Sequence, residues 1–585
     1  MRTFDVSPCR GNRYKWLSVL VIFTISLVLT SAPPWGAFAQ DQQQAQAAKP
    51  PEQQATPPPQ EVNAITPITL VPVSLESPIA KAEKDGTALH LSMRDVVKLA
   101  LQNNLNIAIA DTNEDVRLNS ILSARGAFDP TFRASLGLTN SNRPNNNTTT
   151  ASATGFVNTN QNATWNITLG KQMPFGGSAS LQWNSGRSDS NVVTSIFNPQ
   201  YSDSATFSYT QPLWRNFRID SYRNAIKVAN LNVLVNDSQF RDTLTTTISQ
   251  IETSYWDLVS AIKQYEVSAN SVELARTSAA QAKKKVEVGT SAPIEYTQSL
   301  ASQAQRELSV INAEQTILNA ENSLRNLISK DRTADIWGQV IVPTDPPDYI
   351  DYKVDLNQAI TTAMKNSPQL QQDDYTTQSD DLGYDLLQNS KKWQFDLNAG
   401  VGANGQAGPQ SFDRNGNPQV ADPYVGGLFT AYRTLFNQGN YNWNVGFSIT
   451  IPLKNTDLNA QMASQRITKQ QHVMTRSQHE QSLIVSVRNA VQSLATAKKQ
   501  LETAKIGTQL STAQLDAESK RLDAGLSTQL LVLQAQDSLN TAQNTELNAM
   551  ITYRKAIITL QRTIYTLLSE SNIDLGTTKT GARFK

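Results

Sequence analysis

Two stretches of this chain, 220–285 and 457–522, keep a heptad rhythm for far longer than a globular domain can use. In the first, Ile248, Ile251, Tyr255, Leu258, Ile262 and Tyr265 step alternately by three and four residues. In the second, Leu483, Val487, Ala490, Leu494, Ala497 and Leu501 do the same. Apolar positions at that spacing form one narrow stripe per helix, the seam of helices packed in coiled-coil fashion. At 1.5 Å per residue each stretch predicts a rod of roughly 100 Å, which suits a tube or a stalk. Only 39 % of the 585 residues are hydrophobic, thin for several globular cores but sufficient for stripes.

The rods belong to a plan written twice. "MRDVVKLALQNNLNI" (93–107) aligns with "LNQAITTAMKNSPQL" (356–370), bringing Ala100 onto Ala363 and Asn103 onto Asn366. At the same offset "FRASLGL" (132–138) meets "FDLNAGV" (395–401), and "QPLWRN" (211–216) parallels "IPLKNT" (451–456). Each rod ends in a glycine turn, "KKVEVGTSA" (284–292) and "KRLDAGLST" (520–528). We therefore read a first repeat over 89–340, with strands within 131–213, a long helix 220–288 and a second helix 292–330. The second repeat covers 341–573, with helices within 355–392, strands within 394–453, a long helix 457–523 and a last helix 527–569.

Between the helices the period changes to two. "TFRASLGL", "ATWNITLG", "SASLQWNS", "SATFSYTQ", "FDLNAGVG" and "NVGFSITI" alternate apolar with Ser, Thr or Asn positions. The apolar sets include Phe132/Ala134/Leu136, Trp165/Ile167/Leu169, Ala179/Leu181/Trp183, Ala205/Phe207/Tyr209, Phe395/Leu397/Ala399 and Val445/Phe447/Ile449/Ile451. An ordinary sheet with one wet face alternates in the same way. Two features favour a transmembrane barrel with a wet interior. Trp165, Trp183, Trp214, Trp393 and Trp443 lie in or beside these strands, as interfacial girdles require. The connections also alternate between long polar segments (141–162, 187–203) and the tight "MPFGGS" (173–178). The hairpin 163–186 brings the number of strands to six.

The ends of the chain carry separate information. Arg10, Arg13 and Lys15 precede "WLSVLVIFTISLVLT" (16–30), and Ala37-Phe38-Ala39 follows as a small-x-small site. That predicts a signal peptide over 1–39, cleaved after Ala39, and takes away Cys9, the only cysteine. The net charge then passes from +1 to −2, and nothing suggests nucleic acid. Residues 40–88, opening "QDQQQAQAAKPPEQQATPPPQ", read as a disordered Pro/Gln-rich linker, and 574–585 as a C-terminal tail. No other apolar run is long enough for a transmembrane helix.

No catalytic, cofactor or metal constellation is expected. His472 and His479 stand two helical turns apart without a cysteine or partner carboxylate nearby in sequence, and read as exposed helical histidines, as does the isolated His90 as a surface residue. Gly400, Gly402 and Gly405 follow a strand but open into a loop, so they make no phosphate cradle. The glycine turns need no function to explain them. A helix reversing into an antiparallel partner wants a residue at positive φ, which Gly289 and Gly525 supply. Lys284, Lys285, Lys520 and Arg521 complement the helix dipole, while Ser291 and Ser527 are placed to cap the next helix, with Pro293 near its start.

In this order and twice over, these features resemble the TolC family of bacterial outer-membrane efflux proteins, over about residues 90–570. Three local patterns carry the resemblance: "NSPQL" (366–370), whose counterpart "NNLNI" (103–107) lacks the proline; "ARGAFDPTF" (124–132); and "KRLDAGLSTQLLVLQAQDSLNTAQ" (520–543). It implies a mixed α/β membrane protein: a homotrimer sharing one β-barrel in the outer membrane and one periplasmic α-helical, coiled-coil barrel. The function implied is a passive exit duct of a tripartite efflux pump or type I secretion system. Its partners would be a periplasmic adaptor, an inner-membrane transporter and the outer-membrane bilayer, with no enzyme activity and no cofactor. A trimeric coiled-coil surface adhesin is the alternative, although adhesins place one barrel at a chain end and these strand blocks are internal. By resemblance the glycine turns are adaptor-docking tips, carried by Lys285, Val288, Gly289, Thr290, Arg521, Ala524, Gly525, Leu526 and Ser527. Relatives close their tips with aspartate rings and polar links. Here the ring positions fall on Leu531 and Gln534, with Glu295 at a linking position, so the expected gate is an apolar constriction.

Overall fold

The computed structural model describes residues 74–144, 157–192, 195–331, 333, 335–412, 415–571 and 573. The expected signal peptide, the linker up to residue 73 and the C-terminal tail lie outside the described residues.

Two long helical hairpins and one antiparallel sheet organise the chain. It opens with α1 (Pro78–Asp85), β1 (Ala88–Leu91), α2 (Met93–Asn103) and α3 (Leu105–Arg125). Four strands follow: β2 (Thr131–Pro144), β3 (Val157–Gln172), β4 (Ser178–Ser190) and β5 (Gln200–Pro212). Then come the first rod and its return, α4 (Ser221–Glu287) and α5 (Pro293–Ile328), and β6 (Val340–Pro343). The second half runs α6 (Leu356–Asn366), α7 (Pro368–Ser390), β7 (Gln394–Ala407), α8 (Leu428–Asn437), β8 (Tyr441–Thr450), α9 (Thr456–Asp523), α10 (Gln529–Thr563) and α11 (Leu567–Glu570).

The heptad positions are the cores of the hairpins. Ile248, Ile251, Tyr255 and Leu258 of α4 are fully buried, with Val310, Ile317 and Leu324 of α5 in the same cluster. Val487, Ala490, Leu494, Ala497 and Leu501 of α9 pack with Tyr553, Ile557 and Leu560 of α10 and with Ala359 and Ala363 of α6. Burying each large side chain contributes about 1.5–3 kcal/mol; the buried stripe runs along most of α4 but is confined to Val487–Leu501 in α9.

The stretch expected as linker up to residue 88 departs from that expectation. Ser77 accepts from the amide of Ala80 as N-cap of α1, and Pro78 occupies the first turn. Leu75 packs against the α4/α5 core, and the Tyr265 hydroxyl donates to the Glu76 carbonyl at 3.1 Å. β1 then pairs in parallel with β6, Ala88 against Val340. A strand of four residues whose partner lies some 250 positions away has no local period to betray it.

β2, β3, β4, β5, β7 and β8 form one six-stranded sheet in that order, every neighbouring pair antiparallel. The hairpin β3–β4, which has no counterpart in the second repeat, lies between β2 and β5. Register places Leu136, Trp165, Ile167, Leu181, Trp183, Phe207, Val401 and Phe447 on one face. The opposite face carries Asn, Ser, Thr and Gly, linked across strands by Asn184 to Ser204 (3.4 Å), Thr210 to Asn398 (3.0 Å) and Asn398 to Ser448 (3.0 Å). The apolar face is open: Leu136 is 74 % and Phe447 64 % exposed. Among the described residues, β2 and β8 each lack a partner on their outer edge. The segment 394–453 is also more than strand, because α8 stands between β7 and β8. Gly405 lies under it, where an added Cβ would fall 2.1 Å from the Ala431 carbonyl.

Candidate functional site

The two hairpin tips are built alike, bond for bond. In the first, the amides of Val288, Gly289 and Thr290 donate to the carbonyls of Lys284 (3.1 Å), Val286 (3.0 Å) and Lys285 (2.9 Å). In the second, those of Ala524, Gly525 and Leu526 donate to Lys520 (3.1 Å), Leu522 (3.0 Å) and Arg521 (2.8 Å). This is the Schellman closure, which needs a left-handed residue. Gly289 has φ 74° and Gly525 φ 73°, and no atom stands within 4 Å of where either Cβ would be. The glycines therefore answer to backbone conformation and not to crowding.

Each tip projects an apolar residue, Val288 and Leu526, both 72 % exposed. At the second tip the basic residues are tied to the last turns, Lys520 to Asp516 at 2.6 Å and Arg521 to Glu518 at 3.4 Å. The serines do not cap the returning helices. The N-caps are Ala292 and Thr528, neither with a side-chain cap bond. Ser291 donates instead to Glu295, and Ser527 reaches back to Glu518 on the outgoing helix. Both hydroxyls find carboxylates, which accept more strongly than a backbone amide could reward them. Glu295 is thereby engaged with the turn that precedes its own helix. Leu531 (46 % exposed) and Gln534 lie on the open side of α10, facing away from the α9/α10 seam.

Sequence reasoning missed the polar links between the two hairpins. Arg306 on α5 is 5 % exposed; it donates to Ser271 on α4 and to Asp537 on α10 at 2.7 Å. Gln536 donates to Ser278 at 3.1 Å. Burial holds the Arg306 pKa below the usual guanidinium value, with Asp537 acting against that fall. The partners are more than 200 residues apart, so no local signal could have joined them.

The histidines also need correcting. His472 meets Asp380 at 2.5 Å and His479 meets Asp373 at 2.7 Å, part of a polar zipper between α9 and α7 that includes Arg476 with Asp374 at 2.6 Å. The carboxylates arrive from a helix about 100 residues earlier, which sequence spacing could not show. Each imidazole has one carboxylate, and among the described residues no three His, Cys, Asp or Glu gather to hold a metal ion. Among the described residues, no helix is long and apolar enough to cross a membrane.

This architecture has known counterparts. The chain superimposes on the outer membrane channel CmeC of Campylobacter jejuni with TM-score 0.58 at 15 % identity, covering 83 % of this chain and 90 % of that one. VceC of Vibrio cholerae matches with TM-score 0.56 at 14 % identity, over 81 % and 95 %. MtrE of Neisseria gonorrhoeae in its open state gives 0.54 at 14 % identity, over 81 % and 89 %. At such identities the likeness establishes the fold. No curated protein matches the chain by sequence. The outer membrane efflux protein model matches residues 172–330 and 359–564, spanning both halves of the duplication and well over half of the chain. The chain belongs to the outer membrane efflux protein family.

Proposed function

We propose that this outer-membrane efflux channel works as a homotrimeric, passive exit duct, receiving cargo at its helical tips from a periplasmic adaptor joined to an inner-membrane transporter. The observation that carries this reading is the six-stranded sheet with two edges unpartnered among the described residues, one wet face and one exposed apolar face. A lipid bilayer offers no hydrogen bonds to open edges, so the sheet must close against copies of itself. Three copies bring eighteen strands, and the Asn/Ser/Thr face then lines a water-filled lumen.

The tips support the docking half of the proposal. Val288-Gly289-Thr290 and Ala524-Gly525-Leu526 give two exposed surfaces of the same construction, each an apolar knob beside bases at Lys285 and Arg521. Leu531 and Gln534 are assigned to the gate, with Leu531 as an apolar ring; Glu295 serves its own helix end. The adhesin alternative gains no support, since both strand blocks are interior to the chain and share one sheet.

Fractionation tests the duct. A heat-resistant trimer recovered from outer membranes supports it. Recovery as a peripheral inner-membrane protein, or as a monomer in outer membranes, overturns it.

A further inference from the structure

α8 lies on the apolar face of the sheet, at the end far from the helical hairpins. Trp165 donates from its indole nitrogen to the Tyr432 hydroxyl at 3.2 Å, and Trp183 meets the Tyr432 ring edge-on at 5.7 Å. Both tryptophans belong to the face that carries Leu181 and Phe207. Ser185 and Asp203, polar residues on that same face beside Gly405, are each 3 % exposed. The helix is also fastened to the sheet's backbone. β8 pairs with β7 only as far as Ala403, and the Thr434 hydroxyl takes up the amide and carbonyl of Gln406 just beyond, both at 3.1 Å.

The inward side of α8, with Ala431, Thr434 and Leu435, is thus committed. Its outward side is left uncovered: Phe429, edge-on to Tyr432 of its own helix at 6.3 Å, is 86 % exposed, Phe436 is 70 % exposed, and Arg433 is exposed between them. Positions spaced by four and three share one helix face. A loop helix exposed only to water has no use for two bare phenylalanines.

The height of α8 decides what they meet. Trp214 and Trp393 pack edge-on at 6.0 Å where the sheet joins the hairpins, marking one aromatic belt. Gly405 stands eleven residues along β7 from Gln394. At about 3.4 Å per residue and a tilt of about 40°, that is ~28 Å along the membrane normal, close to the ~25 Å apolar band of such barrels. α8 therefore sits at the opposite boundary of the bilayer.

We infer that α8 is an interfacial helix that docks onto the outer leaflet. Phe429 and Phe436 enter the boundary of the acyl chains, and Arg433 between them faces the anionic phosphates of the headgroups. The lipid surface is the natural occupant because this helix face continues the apolar sheet face that the barrel presents to lipid. The inference rests on the barrel reading, and the test separates the two.

The full chain with Cys9→Ser, carrying single Phe429→Cys, Arg433→Cys or Phe436→Cys substitutions, is spin-labelled and reconstituted in phosphatidylethanolamine/phosphatidylglycerol vesicles. Leu181→Cys and Asn184→Cys serve as references for the apolar and polar sheet faces. Labels at 429 and 436 should collide with oxygen several-fold more often than with a water-soluble nickel chelate, as at 181, with 433 shallower. Nickel access at 429 and 436 equal to that at 184 overturns the inference, and so does spin–spin broadening showing that a neighbouring subunit covers the helix. Nickel access at 181 overturns the barrel reading and this inference with it. The labelled side chains of α8 and Leu181 are exposed and Asn184 is half-buried on the polar face, and either phenylalanine position alone decides the outcome if the other variant does not assemble.

Discussion

Single residues set the terms at the tips and in one buried site. Gly289 and Gly525 hold positive φ in open space, so a side chain there is penalised only by its own backbone. Gly525→Val should destabilise the tip by about 1–2 kcal/mol and Gly525→Asn by clearly less, read as faster amide exchange in residues 518–530. Leu531 is tested through a different property. If its three copies close the duct, Leu531→Ser should raise basal single-channel conductance in planar bilayers, and an unchanged closed level would remove it from the gate. Glu252 on α4 is 7 % exposed, and burial pushes its carboxyl up to about 7, helped by nearby Glu570 and opposed by a hydrogen bond from Ser571. Because the folded value lies above the unfolded one, this group's contribution is fully favourable only below about pH 4.5 and is lost as pH rises toward and through 7. The change is on the order of 3 kcal/mol at ~1.4 kcal/mol per unit. Glu252→Gln should flatten the pH dependence of thermal unfolding and raise the midpoint at pH 8 while leaving that at pH 4 nearly unchanged.

Between elements, the decisive contacts are polar and long-range. Arg306 is buried in the α4/α5 hairpin while its partner Asp537 on α10 is 67 % exposed, so the two ends of this link are not equivalent. Asp537→Ala leaves a buried guanidinium with hydroxyl partners only, and should cost about 1–3 kcal/mol and loosen the two hairpins. Increased leak through the unliganded channel, with far-ultraviolet circular dichroism unchanged, would bear this out. The rods were legible in the sequence because a stripe of Ile, Leu and Ala repeats inside one helix. The link was not, since a lone Arg on a polar helix looks the same with or without a partner on another hairpin. α8 was illegible for a related reason: "LFTAYRTLF" has helical spacing, but it falls in a segment dominated by strand alternation and draws its support from Trp165, Trp183 and Gln406 on other strands.

At the scale of the whole molecule, the hairpin β3–β4 should set the width of the proposed trimeric barrel. Barrel diameter grows roughly linearly with strand number, so passing from eighteen strands to twelve cuts the cross-section by about half. Excising 157–190 brings β2 against β5 with their antiparallel sense preserved. In a Leu531→Ser background, used so that the proposed tip constriction does not limit the current, this deletion should lower open-channel conductance by roughly that factor. An unchanged conductance would mean that β3 and β4 do not line the pore.

What the sequence determined by itself were the elements with a sustained period or a sharply defined local turn. The heptad stripes fix the rods, alternation fixes the strands and their two faces, and a glycine after a basic last turn fixes each reversal, because these signals are complete within a few turns of chain. Tertiary structure alone decided which distant pieces meet. It placed the hairpin β3–β4 inside the sheet, paired β1 with β6, gave the histidines their aspartates, and laid α8 on the apolar face. Each of those outcomes depends on a partner supplied from elsewhere in the chain, and the sequence around one residue carries no physical trace of a contact made at that distance.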